Sequence, residues 1–147
     1  MADVLYTAFN GRNNSSFCLV ERINGEKLFL TNSFEGLKKD IDGIEKKYNA
    51  VYMFGLDKRL KDSVRVEPCA EKDGETIYTE FDTAEIIDKL KKEGLKCKLA
   101  ENPTHYLCNE AYYYMLKKVC RRALFIHIPP LKNFSSDMAE AIIKAIQ

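Results

Sequence analysis

The chain has 147 residues, 46% of them apolar, which suits one globular domain, residues 1–147, with a real core. Its 23 basic and 22 acidic side chains leave a formal net charge of +1, so bulk electrostatics argue for neither a nucleic-acid nor a membrane partner. No apolar run approaches the roughly 18 residues of a membrane helix. The start, Met1-Ala2-Asp3-Val4-Leu5, lacks the basic n-region of a secretory signal, and a cytoplasmic location is expected.

Val4 to Phe9 reads as a first strand, followed by the turn-rich loop Asn10 to Ser16. Phe17 to Ile23 is ambiguous between helix and strand, Asn24-Gly25 is a turn, and Lys27 to Leu30 is a short strand. Asn32 or Ser33 can cap a helix from Phe34 to Tyr48, with Leu37, Ile41 and Ile44 on one face. Ala50 to Gly55 is a continuous apolar run, the mark of a strand buried on both sides. Ser63 to Cys69 alternates as a strand does. Asp73-Gly74 is a turn before a short extended piece, Thr76 to Tyr78. Thr83 caps a helix to Glu93, ended by Gly94. Leu95 to Ala100 is a strand, Tyr106 to Arg121 a helix, and Ala123 to Ile128 a strand stopped by Pro129-Pro130. Ser135-Ser136-Asp137 starts the last helix. This alternation predicts an α/β fold: a three-layer α/β/α sandwich with a mostly parallel, mixed central sheet, whose ligands bind beyond the carboxyl ends of the strands.

The five cysteines are odd in number, widely spread and without a C-x-x-C pair, so reduced thiols are expected. Cys108 falls near the start of a predicted helix. Free N–H groups there stabilise a thiolate, lower its pKa and can donate to an oxyanion. His127 interrupts the apolar run Phe125-Ile126-His127-Ile128 near a strand's carboxyl end, a suitable place for a general base. Glu67, late in its strand, is the best candidate to orient that imidazole. Each has an ordinary structural alternative by position alone: a core cysteine, a core histidine bonded to backbone, a surface carboxylate. His105, three residues before Cys108, is a second candidate base or half of a metal site, but no second close pair accompanies it. P-loop, Rossmann and G-x-S-x-G patterns are absent.

Tyr106-Leu107-Cys108-Asn109-Glu110-Ala111-Tyr112-Tyr113 and Phe125-Ile126-His127-Ile128-Pro129 resemble, in order and spacing, the cysteine and histidine segments of the type I pyroglutamyl peptidases (pyrrolidone-carboxylate peptidases). Val64-Arg65-Val66-Glu67, after Gly55-Leu56, is similar to the family's glutamate strand. The resemblance implies a hydrolase, a thiol protease with a Cys108–His127–Glu67 triad that removes an N-terminal pyroglutamyl residue without metal or cofactor. It also implies Arg59 near the oxyanion, and Phe9, Tyr106 and Leu107 against the substrate. The implied partner is an N-terminally pyroglutamylated peptide or a small amide, and family members often self-associate.

The chain departs from the family in three places. Its first loop, Ala8-Phe9-Asn10-Gly11-Arg12-Asn13, keeps only Phe9 of the family's Gly-Phe-x-Pro-Phe-Gly-Gly. Gly55-Leu56-Asp57-Lys58-Arg59-Leu60-Lys61 replaces a Gly-Gly-Arg-like turn. The segment from Glu67 to Thr83 is shorter than in family members. These departures leave two alternatives: a cysteine amidase acting on another small amide or lactam, and a non-catalytic binding protein that retains the fold.

Overall fold

The computed structural model describes residues 3–147. Six strands form the central sheet: β1 (Val4–Phe9), β2 (Glu26–Leu30), β3 (Ala50–Leu56), β4 (Ser63–Glu67), β7 (Lys96–Leu99) and β8 (Ala123–Ile128). Their order is β2-β1-β3-β8-β4-β7. β2, β1, β3 and β8 run parallel to one another, while β4 is antiparallel to β8 and parallel to β7. β5 (Cys69–Lys72) and β6 (Glu75–Tyr78) form a separate antiparallel hairpin. Its turn, Asp73-Gly74, has positive φ at both residues (50° and 80°), as a two-residue hairpin loop requires.

Helices α1 (Ser15–Glu21), α3 (Thr83–Lys92) and α5 (Ser136–Ile146) cover one face; α2 (Phe34–Asp42), α4 (Tyr106–Tyr114) and the hairpin cover the other. Strand alternation assigns side chains to these layers. Tyr52, Phe54, Val64, Val66, Leu124, Ile126 and Ile128 pack on the α1/α3/α5 side, and Val51, Met53, Ala123 and Phe125 on the α4 side. The same alternation carries Gly55, Arg65, Glu67 and His127 to the α4 side. No helix among the described residues is long and apolar enough to cross a membrane.

The differences from the sequence-based expectations have local causes. Phe17 to Glu21 is helical, and Arg22 and Ile23 are not, because α1 starts where Asn14 Oδ1 accepts from Ser16 N–H and ends at Glu21. The helix from Phe34 stops at Asp42 rather than Tyr48, with Gly43 as its last half-turn residue; glycine loses more backbone entropy in a helix than any other residue. Ser63 to Cys69 is not one strand, because Pro68 has no N–H for the ladder, and the chain leaves the sheet there to begin β5. Asp82, not Thr83, caps α3. The helix from Tyr106 is α-helical only to Tyr114. It widens into a π turn over Met115–Val119, which closes when Cys120 N–H donates to Met115 O at 2.9 Å.

Candidate active site

Strand register assembles the site. Across β8, His127 lies opposite Gly55 of β3 on one side and opposite Arg65 of β4 on the other. Glu67 lies one pleat further along β4, opposite Phe125. These four residues therefore form a compact patch on one face, near the carboxyl ends of β3 and β8, where open α/β sheets place their ligands.

Glu67 is fully buried at 0% exposure, and His127 is buried at 3%. Glu67 Oε2 lies 3.0 Å from His127 Nδ1. The same oxygen accepts Arg65 Nε–H at 2.7 Å, and Arg65 Nη2 donates to Asp57 Oδ2 at 2.9 Å. Asp57 also takes Arg59 Nε–H and Nη2–H at 3.2 and 3.0 Å. The Arg59 guanidinium, seconded by Arg65, holds the Asp57 carboxyl well below the usual carboxylate range. Tyr112 of α4 donates its hydroxyl to the Glu67 backbone carbonyl at 2.8 Å, tying the helix to the strand that carries the carboxylate. The Phe125 ring lies 4.8 Å from the His127 imidazole, centroid to centroid.

Cys108 is the third residue of α4 and is half-buried. Two devices fix this helix start. Tyr106 adopts φ +57°, a left-handed conformation costly for a bulky residue, roughly 1–2 kcal/mol, and it leaves the Tyr106 side chain 83% exposed. Asn109 then exchanges two hydrogen bonds with the backbone of Glu71, at 3.1 and 2.7 Å, docking the β5–β6 hairpin. Lys72 pairs with Glu110 at 2.9 Å on the same contact. Asn14, Ser33, Asp82 and Ser135 side chains cap the other four α-helices, but the cap position of α4, His105, makes no side-chain cap bond.

Cys108 and His127 open onto one cleft of about 590 Å³, whose wall also includes Leu56 to Arg59 and Thr104 to Leu107. Among the basic residues of the 58–61 turn, Lys58 and Arg59 face this cleft. Arg59 spends its guanidinium on Asp57, with the side chain 81% exposed. Phe9 is 4% exposed, packed in the core beside Leu5 and Leu30 rather than on the cleft wall.

The thiol differs from the expectation of a lowered pKa. Burial pushes Cys108 up to about 12, helped by the negative charges of Glu67 and Asp57 and opposed by Arg65. These outweigh the helix terminus, which is worth only about 0.3–1 kcal/mol at typical sites. The resting sulfur is thus a protonated thiol. Its alkylation rate by iodoacetamide should keep rising through about pH 9. A plateau already reached below about pH 7 would reveal a resting thiolate and contradict this electrostatic account.

The chain's fold matches several solved structures. The pyrrolidone carboxyl peptidase of Thermus thermophilus superposes with a TM-score of 0.82 at 19% identity, over 97% of this chain and 98% of that one. The fold is that of the pyrrolidone carboxyl peptidases. The Fervidobacterium islandicum AW-1 enzyme gives 0.78 at 17% identity, covering 99% and 95%. Pyroglutamyl peptidase I of Bacillus amyloliquefaciens gives 0.76 at 18%, covering 99% and 93%. No protein-family model matches the chain, and no curated protein matches its sequence.

Sequence reading singled out Cys108, His127 and Glu67 but missed Arg65, Asp57 and Gly55. Alternation along Ser63 to Glu67 already puts Arg65 on the face of Glu67. Gly55 carries a steric signal that only the fold reveals. A Cβ there would lie 2.8 Å from Phe125 Cζ and 2.9 Å from Cys108 Sγ, and Phe125 is fully buried with nowhere to retreat. Gly55→Ala should therefore cost about 1–3 kcal/mol in a denaturant melt and displace the thiol. An unchanged melt with unchanged Cys108 alkylation would refute the tight fit.

Proposed function

We propose that the protein is a cysteine peptidase that hydrolyses the amide bond after an N-terminal pyroglutamyl residue. The observation that carries this reading is the buried Glu67–His127 pair beside a cysteine that shares its cleft, in a fold shared with the pyrrolidone carboxyl peptidases of Thermus thermophilus and Fervidobacterium islandicum.

The chemistry follows from the hydrogen bonds. Glu67 Oε2 already accepts from Arg65, so His127 Nδ1 carries the hydrogen of the Glu67 contact. Nε2 is then left with its lone pair. Because the thiol rests protonated, attack is general-base assisted. As Cys108 Sγ bonds to the amide carbonyl carbon, its proton passes to His127 Nε2. Glu67 stabilises the imidazolium that forms. The carbonyl oxygen takes negative charge opposite the uncapped first turn of α4, whose leading N–H groups, Cys108's among them, have no partner within the helix. When the C–N bond breaks, His127 returns the proton to the departing amine, leaving a thioester on Cys108. Water, deprotonated by His127, hydrolyses that thioester and restores the thiol. Tyr106 and Leu107 line the apolar side of the cleft. Arg59 serves the site indirectly, through its hold on Asp57.

A second reading, hydrolysis of another small amide or lactam, is favoured by the burial of Phe9 away from the cleft and by the charged wall at Lys58 and Arg59. The two readings are separated by comparing amine release from pyroglutamyl, prolyl, glutaminyl and acetyl amides of one fluorescent amine. Preference for the pyroglutamyl compound supports the first. A faster acyclic or differently cyclised amide supports the second. A lack of turnover on every member would contradict both.

A further inference from the structure

We infer that Arg65 is a positioning residue for the His127 imidazole. The inference rests on the reading of His127 as the base that serves Cys108, and it assigns a role to a side chain to which the sequence resemblance gives none.

Arg65 sits directly across the antiparallel β4–β8 ladder from His127. Its Nε–H and His127 Nδ1 converge on the same atom, Glu67 Oε2, at 2.7 and 3.0 Å. The other carboxylate oxygen, Oε1, is buried and has no hydrogen-bond partner among the described residues. The Glu67 side chain is therefore held entirely through one oxygen. A carboxylate held at one point can turn about its terminal bond, and a single imidazole contact does not prevent that.

Arg65 supplies the second constraint. Its guanidinium is planar and rigid, and its far end is fixed by Asp57 Oδ2 at 2.9 Å. A group anchored at both ends sets where Oε2 lies, and so sets the plane and tautomer of the ring that donates to it. Two donors on one oxygen also leave Oε2 no room for a proton of its own, which keeps the hydrogen on Nδ1. Asp57 belongs to the cleft wall, so an unbroken chain, Asp57–Arg65–Glu67–His127, runs from the substrate surface to the base.

The geometry requires arginine specifically. Nε and Nη2 reach two different carboxylates at once; one ammonium nitrogen reaches one well. Arg65→Lys should therefore recover the charge but only part of the positioning.

The chain has just two histidines, His105 and His127, so long-range proton–nitrogen NMR can assign the His127 tautomer without any substrate. The parent should show a single Nδ1–H form. Arg65→Met should show mixed tautomers and, on whichever amide the parent turns over, a kcat lower by roughly 10–100-fold with KM within about twofold, the scale seen when the outer hydrogen-bond partners of metal-bound histidines are removed. Arg65→Lys should fall between the two. An Arg65→Met protein with the parent's tautomer and kcat would overturn the inference. Should that variant not fold, parental tautomer and kcat in Arg65→Lys would overturn it equally. Absence of amide turnover in the parent would count against the proposed function alone, because the tautomer measurement decides the role of Arg65 independently.

Discussion

Cys108→Ala is expected to bring amide hydrolysis down to the uncatalysed background, and His127→Ala to lower kcat/KM by roughly 10⁴-fold or more. Both follow from the division of labour at the cleft. The thiol is pushed up to about 12 by burial and by its anionic neighbours, so it cannot supply a thiolate unaided near neutrality. Without an imidazole to take its proton, the sulfur is a poor nucleophile. Without the sulfur, the imidazole has only water to activate. The two losses should be far from additive, since each residue is useless without the other. The double variant should be no slower than the worse of the singles. Initial rates of fluorescent amine release check this. An additive double variant would mean that the two residues act in separate steps or separate places.

Glu67→Gln should combine two large effects. Glu67 is fully buried and faces two donors with one oxygen. A glutamine can offer its carbonyl oxygen to those donors, but its NH₂ must then occupy the position of the buried, unpartnered Oε1. That leaves a desolvated donor without an acceptor and removes the counter-charge of Arg65. Loss of folding stability on the order of 2–4 kcal/mol is expected, measured as a shift in urea midpoint at constant slope. Activity should fall more than stability explains, by roughly 10³–10⁴-fold under conditions where the variant is folded. The cause would be loss of the charge that stabilises the imidazolium and of the acceptor that fixes its tautomer. A folded Glu67→Gln protein with near-parental kcat would show that the carboxylate is only structural.

His127 stands out in the sequence because it interrupts an apolar strand, whereas Cys108 and Glu67 stand out only by position, at a helix start and late in an alternating strand. A histidine in an apolar strand and a carboxylate late in an alternating one both need partners once buried, and their burial at 3% and 0% makes them each other's partner. The α/β/α layering was legible from the alternation of elements. What the sequence did not reveal lies in pairings between distant segments. The antiparallel entry of β4 beside β8 decides that Arg65 stands opposite His127, and nothing local to Ser63–Glu67 encodes its direction. The same holds for Gly55, whose need for a bare Cα arises from Cys108 and Phe125, more than fifty residues away in the chain. Phe9 shows the reverse: a motif position read as substrate-facing is packed inward with Leu5 and Leu30. The thiol's electrostatics are not legible in the sequence, because the helix terminus is visible there whereas burial and the approach of Glu67 and Asp57 are properties of the fold.

The most direct test of Cys108 as nucleophile is to trap its acyl intermediate. The reduced protein would be mixed with an activated pyroglutamyl ester, quenched in acid within the first turnover, and mapped by peptide mass spectrometry. One acyl group per chain is expected, on Cys108, absent from the His127→Ala protein at the same time point. Cys18, Cys69, Cys97 and Cys120 serve as internal controls, since all are free thiols in the same molecule. Acylation spread over those cysteines, or none on Cys108 while amine or alcohol is released, would contradict it.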